Sequence, residues 1–360
     1  MTQIAVIGGG AWGTGLAIVL GRKGTHQVRL WAHETDVCDS INQRHVNERF
    51  LPGRPIPDSV SATNDLASTL DGAEIIVSVM PSQHCRGLFE KMRSHIRPQA
   101  LIVSATKGLE EGSLLRMTEI IQQVLTPDNT GSRGNKTGGA PLLADVAKNG
   151  NSDLQIGALS GPSFAQEVAR GDPTAITIAS NDAALAQTIQ REFSDHSFRV
   201  YTNTDVVGVE LGGALKNIVA IAAGICDGLG LGHNSVAALI TRGLAEMTRL
   251  VVACGGRGET MAGLAGLGDL VLTCTGGLSR NRSVGVALGK GEKLPSIIAS
   301  MHGMVAEGVF TTTAAVGLAK ARAVEMPITE QMHAILHEGK SPRAAIQELM
   351  TRTGKSEAGP

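Results

Sequence analysis

Residues 3–20 read QIAVIGGGAWGTGLAIVL, in which a short apolar run is followed by glycines and then by a second apolar run. The first run predicts a buried β-strand, the second predicts a helix, and the glycines between them follow the spacing G-x-G-x-x-G. A strand, a glycine turn and a helix are the context in which this spacing binds a dinucleotide. There Gly8 allows the tight turn, Gly10 lets the backbone approach the pyrophosphate, and Gly13 lets helix and strand pack closely. The free N–H groups of the helix N-terminus attract the phosphates. The alternatives are a glycine turn that binds nothing and one that binds another nucleotide, such as S-adenosylmethionine.

The overall composition excludes several classes of protein. A chain of 360 residues is long enough for two domains, and a net charge of −1 with 2% aromatic residues argues against a nucleic-acid surface. No apolar run approaches the roughly 20 residues of a membrane span, and no signal peptide is recognised. The five cysteines are scattered without metal-ligand spacing, which predicts reduced thiols, no metal site and a cytoplasmic protein.

The first half of the chain alternates short apolar runs with helical stretches, which predicts a doubly wound parallel sheet with right-handed crossovers. The predicted strands are Ile4–Ile7, Val28–Trp31, Glu74–Val79, Leu101–Ala105, Gln155–Leu159, Thr174–Ala179 and Phe198–Tyr201. One stretch, 126–153, is rich in Gly, Asn, Ser and Lys and predicts an exposed insertion with a short helix at 142–147. A lid over a site is the alternative interpretation of that insertion.

Strand patterns stop near residue 202, and long helical stretches rich in Ala, Gly and Leu follow. The predicted helices are Val206–Ile225, Ser235–Cys254, Met261–Thr273, Arg282–Leu288, Phe310–Arg322, Ile328–Glu338 and Ser341–Met350. We therefore expect a Rossmann-type α/β domain at 1–202 that binds a dinucleotide. An all-α domain at 203–352 should supply substrate and catalytic residues, and a frayed tail should follow at 353–360.

Lys216 is the one charged residue between positions 211 and 226. A lysine in so apolar a helix either extends its ammonium to a surface or belongs to a site. Gly212 and Gly213 precede it and leave its ammonium unshielded. We favour a site, where a positioned ammonium serves as proton donor.

Three further stretches carry candidate residues. Lys107 follows a predicted strand, where ligands of doubly wound sheets bind, although a solvated loop lysine is equally consistent with its position. The stretch Gly161-Pro162-Ser163 also follows a strand, and Ser163 is a candidate helix cap, a role that would by itself explain a serine there. The stretch 279–282, Ser-Arg-Asn-Arg, predicts a helix N-terminus suited to a phosphate, or an ordinary capped helix with surface arginines.

Six motifs occur in one order along the chain. They are Gly-Gly-Gly-Ala-Trp-Gly-Thr at 8–14, Ser-Ala-Thr-Lys-Gly-Leu-Glu at 104–110, Leu-Ser-Gly-Pro-Ser-Phe-Ala at 159–165, Gly-Gly-Ala-Leu-Lys-Asn-Ile at 212–218, Gly-Leu-Gly-Asp-Leu at 266–270 and Ser-Arg-Asn-Arg at 279–282. Together they resemble the bacterial NAD(P)-dependent glycerol-3-phosphate dehydrogenases over residues 1–350, apart from 126–153. The resemblance implies reversible reduction of dihydroxyacetone phosphate to sn-glycerol 3-phosphate for phospholipid synthesis, by a homodimer.

The resemblance also implies roles for matching residues. Lys216 would be the proton donor or acceptor, acting with Lys107 and Asp269. The implied substrate contacts are Lys107, Gly161, Ser163, Lys216, Asp269, Ser279, Arg280 and Asn281. The implied cofactor contacts, beside the glycine turn, are Trp12, Lys107, Ala165, Arg280, Val305 and Glu307. Ala11 stands where the family often has a serine, so one phosphate contact is expected to be missing there.

The choice between NAD(H) and NADP(H) depends on the end of the second predicted strand. A carboxylate there normally binds the ribose 2′-hydroxyl and repels a 2′-phosphate. This chain has Ala32 and His33 at that end, and Glu34 comes one position later. His33 is a candidate donor to a 2′-phosphate, so we expect both cofactors to be accepted.

Two other functions remain open at the level of sequence. The first is a dehydrogenase of the same architecture that acts on a carboxylate substrate. A panel of competing substrates would distinguish it from a dehydrogenase that acts on dihydroxyacetone phosphate. A regulator that binds NAD(H) without turnover is a different class, and Lys216 argues against it because a sensor needs no proton donor.

Overall fold

The computed structural model describes residues 1–126, 154–301, 304–354 and 356–357. The predicted insertion at 126–153, with its short helix at 142–147, therefore lies outside the described residues apart from Thr126. Part of the predicted tail lies outside them as well, at 355 and 358–360.

The N-terminal part of the chain forms one sheet of eight strands, in the order β3-β2-β1-β4-β5-β6-β7-β8. The strands are β1 (Thr2–Ile7), β2 (His26–Trp31), β3 (Val60–Thr63), β4 (Ile75–Ser78), β5 (Leu101–Ser104), β6 (Ile156–Ser160), β7 (Thr174–Ala179) and β8 (Phe198–Asn203). All neighbouring strands are parallel except β6 and β7, which are antiparallel. The predicted central parallel strands are confirmed. The antiparallel pairing of β6 with β7 was not predicted, because an apolar run indicates burial on both faces but not strand direction.

Helices cover both faces of this sheet. They are α1 (Ala11–Arg22), α2 (Thr35–Arg44), α3 (Leu66–Leu70), α4 (Cys85–Met92), α5 (Met117–Leu125), α6 (Ala165–Arg170) and α7 (Ala183–Phe193). Alternate residues of β1 enter separate apolar clusters, Ile4 and Val6 in one and Ala5 and Ile7 in the other. The sheet is thus buried on both faces, as its apolar runs predict.

The C-terminal part is helical. Its helices are α8 (Val206–Gly228), α9 (His233–Ala253), α10 (Gly258–Met261), α11 (Asp269–Thr275), α12 (Arg280–Gly289), α13 (Leu294–Ser300), α14 (Glu307–Ala321), α15 (Pro327–His337) and α16 (Pro342–Met350). The predicted helix over 261–273 is instead interrupted by a π-helical turn at Leu264–Gly268. Strand β3 and helix α13 have short sequences with weak periodicity and were not predicted.

Helix α8 is the centre of the helical part. It has the length and composition of a membrane span, but 89% of its apolar 18-residue stretch is buried inside the protein, where α9, α11, α12 and α14 pack against it. It is therefore the core helix of this domain. The segment 258–275 and α12, taken together, also have the length and composition of a membrane span, with a bend of 48° between them.

Candidate active site

The site lies at the carboxyl edge of the sheet, where the loops after β1, β4, β5 and β6 meet the helical domain. The glycine turn follows β1, Ser82 follows β4, Lys107 follows β5 and Gly161 follows β6. Helices α8, α11, α12 and α14 supply the opposing side chains. This is the edge at which open α/β sheets bind their ligands.

The glycine turn is closely packed at two positions and open at the third. Gly8 has φ +131°, and a Cβ on it would lie 2.3 Å from the Val79 carbonyl oxygen. A Cβ on Gly13 would lie 1.9 Å from the Gly8 carbonyl oxygen, whereas a Cβ on Gly10 would meet nothing within 4 Å. The packing at Gly8 and Gly13 forms the turn, and the open space at Gly10 fits the pyrophosphate of a dinucleotide.

Asn47 supports this turn and was not predicted. Its Nδ2 donates to the Gly9 carbonyl oxygen and to Thr14 Oγ1, each at 2.8 Å, and its Oδ1 accepts from Phe50 N at 3.0 Å. The side chain is completely buried. Nothing in the local sequence distinguishes it from a loop asparagine, because Gly9 and Thr14, the partners of its Nδ2, lie more than 30 positions away.

The other residues predicted to contact the cofactor surround the turn. Ala11 is the first residue of α1, and the Trp12 indole Nε1 is buried without a partner among the described residues. His33 is exposed at the end of β2. Ala165 begins α6, and its carbonyl oxygen lies 3.5 Å from the Cβ position of Gly15 on α1.

The chemical centre is a buried carboxylate between two lysines. Asp269 Oδ2 lies 2.6 Å from Lys107 Nζ, and Asp269 Oδ1 lies 2.9 Å from Lys216 Nζ. The side chains of Asp269, Lys216 and Lys107 are 2%, 9% and 16% exposed. Lys216 Nζ also donates to Thr273 Oγ1 at 2.8 Å. The structure thus brings together the three residues predicted to be catalytic, and it adds Thr273.

These neighbours set the protonation of the cluster. Burial lowers the pKa of Lys107 to about 8 against the attraction of Asp269, and the nearby positive charge of Lys216 lowers it further. Burial alone would raise the pKa of Asp269, but the two lysines together hold it below its usual value. The aspartate therefore stays ionised at neutral pH, and Lys107, its partner through Oδ2, titrates near pH 8.

Two backbone features bring these side chains together. A Cβ on Gly213 would lie 2.4 Å from Ser160 Oγ and 3.6 Å from Lys107 Cγ, so the absence of a side chain lets α8 approach β6. The π-helical turn before α11 changes the helical register just before Asp269, as such turns often do at functional sites. The predicted continuous helix could not reveal that change.

Residues of the Gly161 loop also reach the centre. Gly161 has φ +138°, and its carbonyl oxygen accepts from Lys107 Nζ and from Ser163 Oγ, each at 2.9 Å. The prediction that Ser163 caps a helix was wrong: α6 begins one residue later than a cap at Ser163 requires, with Phe164 at its N-cap. The hydroxyl bonds back to the loop instead.

The N-terminus of α12 offers a cationic group. Ser279 caps it, accepting from Arg282 N at 3.2 Å, and this confirms the predicted helix start. The half-buried Arg280 guanidinium has no hydrogen bond or ion pair with any described residue, which leaves it suited to an anion. Asn281 Nδ2 donates to Asn217 Oδ1 at 2.8 Å and Asn281 Oδ1 accepts from Gly308 N at 3.0 Å, so this amide also joins α8, α12 and α14.

Glu307 connects the helical domain to the loop after β4. Its carboxylate accepts from Ser82 N at 3.0 Å and from Ser82 Oγ at 2.6 Å, while burial raises its pKa. Val305 is half-buried two residues earlier. The bonds between Glu307 and Ser82, which lie 225 positions apart, were not predicted. Among the described residues no group of three or more His, Cys, Asp or Glu side chains is placed to hold a metal ion.

Comparisons with known proteins agree over nearly the whole chain. The family model for the N-terminus of NAD-dependent glycerol-3-phosphate dehydrogenase matches residues 3–132 and 130–186, and the model for its C-terminus matches 205–347. The glycerol-3-phosphate dehydrogenase [NAD(P)+] of Koribacter versatilis is 63% identical, with 99% of both chains covered. That of Acidobacterium capsulatum is 54% identical, with 99% of this chain and 100% of the relative covered.

Solved structures show the same similarity. The glycerol-3-phosphate dehydrogenase of Coxiella burnetii is 42% identical with a TM-score of 0.87, covering 98% of this chain and 99% of that one. A ketopantoate reductase from Ralstonia eutropha is 14% identical with a TM-score of 0.57, covering 97% of this chain and 100% of that one. The second likeness is one of fold alone.

Proposed function

The chain belongs to the NAD-dependent glycerol-3-phosphate dehydrogenase family, and from that premise we propose how its own residues carry out the reaction. It is an NAD(P)-dependent oxidoreductase that interconverts dihydroxyacetone phosphate and sn-glycerol 3-phosphate. One observation supports the residue roles above all others: two lysines share one buried aspartate at the sheet edge that carries the glycine turn.

The residues of the turn fit a nicotinamide dinucleotide. The space at Gly10 is open, and the first N–H groups of α1 have no helical acceptor and face a ligand at this edge. When bound, the cofactor supplies a hydride to the substrate carbonyl carbon or accepts one from the alcohol. The residues we propose to hold it are Gly8, Gly10, Ala11, Trp12, Gly13, His33, Lys107, Ala165, Arg280, Val305 and Glu307.

Lys216 is the proposed proton donor in the direction of reduction. Its Nζ gives one proton to the carbonyl oxygen as that oxygen becomes a hydroxyl, and the neutral amine then takes a proton from solvent. In the direction of oxidation the neutral amine accepts the hydroxyl proton. Asp269 and Thr273 hold Nζ in place through bonds of 2.9 and 2.8 Å.

The phosphate of the substrate is proposed to bind at the N-terminus of α12. Arg280 offers two parallel N–H donors there, and the helix adds a partial positive charge. Binding energy from this remote group orients the carbonyl beside Lys216. The proposed substrate contacts are Lys107, Gly161, Ser163, Lys216, Asp269, Ser279, Arg280 and Asn281.

The reaction is tested by following absorbance at 340 nm with dihydroxyacetone phosphate and either NADH or NADPH. We expect turnover with this substrate and none with a 2-keto carboxylic acid of similar size. Turnover confined to the keto acid would favour the carboxylate dehydrogenase, and tight cofactor binding without turnover of either substrate would favour a sensor.

The division into a cofactor domain at 1–202 and a substrate domain at 203–352 is also proposed, supported by the change from β8 to α8 at Asn203–Val206. The family resemblance supports a cytoplasmic homodimer. Light scattering on the purified protein tests the dimer, for which we expect twice the chain mass of 37.3 kDa. A mass of one chain at assay concentration would contradict it.

A further inference from the structure

A buried glutamate joins the helix that carries Lys216 to the sheet domain. Glu210 on α8 accepts from Thr118 N at 2.9 Å on Oε1 and from Thr118 Oγ1 at 2.6 Å on Oε2. Arg116 Nη1 also lies 2.5 Å from Oε2. Arg116 and Thr118 stand at the N-terminus of α5, so Glu210 caps a helix of the other domain.

Glu210 and Lys216 lie on the same helix, so the bonds that hold Glu210 also hold the backbone that carries Lys216. Six residues of one α-helix separate them, which is about 9 Å along the helix axis. Among the described residues of α8 before Lys216, Glu210 is the one whose side chain hydrogen-bonds to the sheet domain. Asp205, at the start of the helix, bonds instead to Arg257 and Thr260 of the helical domain. Gly213, in the same part of α8, packs closely against Ser160 and Lys107 but has no side chain with which to make a directed bond.

We propose that Glu210 is a positioning residue, which fixes Lys216 relative to the sheet edge by bonding α8 to the N-terminus of α5. This inference rests on the proposed role of Lys216 as proton donor. Proton and hydride transfer depend on small displacements, and a shift of about 1 Å in a reacting group can lower the rate by about 100-fold. A slide of α8 along its own axis would produce such a shift, and the directed bonds of Glu210 oppose it.

A purely stabilising role is a weaker explanation of the same contacts. Burial raises the pKa of Glu210 against the attraction of Arg116, so the charge is held in the interior at a desolvation cost. Buried ion pairs often contribute little net stability compared with apolar side chains, and in some proteins buried polar groups fix one arrangement of two elements.

The chain contains a matched control. Glu246 on α9 is 3% exposed and accepts from Ile328 N at 2.7 Å, from Thr329 N at 3.3 Å and from Thr329 Oγ1 at 3.4 Å. It therefore also caps a helix N-terminus, that of α15, by accepting from two backbone N–H groups and a threonine hydroxyl. Both of its partners lie within the helical domain, so its loss should affect stability without moving Lys216 relative to the sheet.

The test compares Thr118→Val and Glu210→Gln with Thr329→Val and Glu246→Gln in the full-length enzyme. We measure Tm, and we measure kcat and KM with dihydroxyacetone phosphate and NADPH, corrected for the folded fraction. We expect Glu210→Gln to lower kcat on the order of 10-fold with cofactor KM unchanged within about two-fold, and Thr118→Val to do the same more weakly. The two control variants should leave kcat within about two-fold, whatever change in Tm each of them shows.

A double variant tests whether Glu210 acts through Lys216. Glu210→Gln added to Lys216→Ala should lower the residual turnover far less than it lowers that of the parent, because effects on one catalytic unit are not additive. Full additivity would overturn the inference. The inference would also be overturned if the Glu210→Gln and Thr118→Val variants had a kcat no lower than that of the controls. If Glu210→Gln does not fold, Thr118→Val alone decides. If Lys216→Ala itself keeps its turnover, the proton-donor role fails instead, and the two failures are thereby distinguished.

Discussion

Lys107 Nζ lies 2.6 Å from Asp269 Oδ2 in a site where both side chains are largely removed from solvent. The same aspartate binds Lys216 through its other oxygen, so two ammonium groups share one negative charge. Such a site holds a net positive charge and attracts a phosphorylated substrate. Burial and the neighbouring charge of Lys216 lower the pKa of Lys107 to about 8 against the attraction of Asp269.

We therefore predict that kcat/KM for dihydroxyacetone phosphate falls as the pH rises through about 8, the pKa to which Lys107 is lowered. Below that pH the lysine is protonated and paired with Asp269, and above it the pair is lost. The ratio kcat/KM reports groups of the free enzyme, so a pH profile from 6 to about 10 measures this step. In Lys107→Arg the fall should move to higher pH, because a guanidinium stays protonated. A fall at the same pH in both proteins would assign it to another group.

Arg280→Lys should raise KM for dihydroxyacetone phosphate by about 10-fold or more, because lysine cannot reproduce two parallel bonds to a phosphate. Activity on unphosphorylated dihydroxyacetone should fall far less, and this contrast excludes general damage to the fold. Arg282→Lys is the matched control, since Arg282 lies 2.7 Å from Asp227 at the surface and is not part of the proposed phosphate site. Equal losses on both substrates would remove Arg280 from that site.

His33→Asp should disfavour NADPH more than NADH. His33 is exposed at the end of β2, where a carboxylate would repel the 2′-phosphate of NADPH and accept from the 2′-hydroxyl of NADH. The ratio of kcat/KM values for the two cofactors measures this change. An unchanged ratio would exclude His33 from the adenosine end of the site.

Glu246 predicts a dependence of stability on pH that is independent of catalysis. Burial raises its pKa from 4.5 to about 7, so the folded protein binds this proton more tightly than the unfolded chain does. That contribution is fully present below pH 4.5 and is lost as the pH rises through about 7. Urea unfolding at several pH values should show wild type losing stability relative to Glu246→Gln over this range. The exposed Glu330→Gln should run parallel to wild type, and a constant difference for Glu246→Gln would refute the prediction.

The parts of the site that sequence predicts are those with a local signature. The glycine turn can be recognised because its strand, glycine spacing and helix are contiguous in the sequence. Lys216 can be recognised because a charged residue is rare in an apolar helix. The role of Asp269 came only with the family resemblance. The stretch 279–282, which includes Arg280, indicated a phosphate site before it, with an ordinary capped helix as the alternative. Asn47, Thr273 and Ser82 carry no such signature, because each is an ordinary polar residue whose function depends on a tertiary partner. Glu210 is, like Lys216, a charge in the apolar helix α8, but that pattern does not predict its partners Arg116 and Thr118.

The errors of prediction have the same origin. The direction of β7 depends on which strand it pairs with, and its apolar pattern is identical in either direction. Serine is a residue type that often caps helices, but the Ser163 hydroxyl donates to the Gly161 carbonyl oxygen instead. The π-helical turn before Asp269 depends on close packing of Gly266, whose Cβ position lies 2.2 Å from the Met261 carbonyl oxygen.

The most direct measurement is kcat of Lys216→Ala with saturating dihydroxyacetone phosphate and NADPH, together with the cofactor Kd from fluorescence titration. Loss of a positioned proton donor should lower kcat by at least about 100-fold and leave the cofactor Kd nearly unchanged. A variant that stays within a few-fold of wild-type turnover would show that Lys216 does not donate the proton, and the mechanism built on its bond to Asp269 would be wrong.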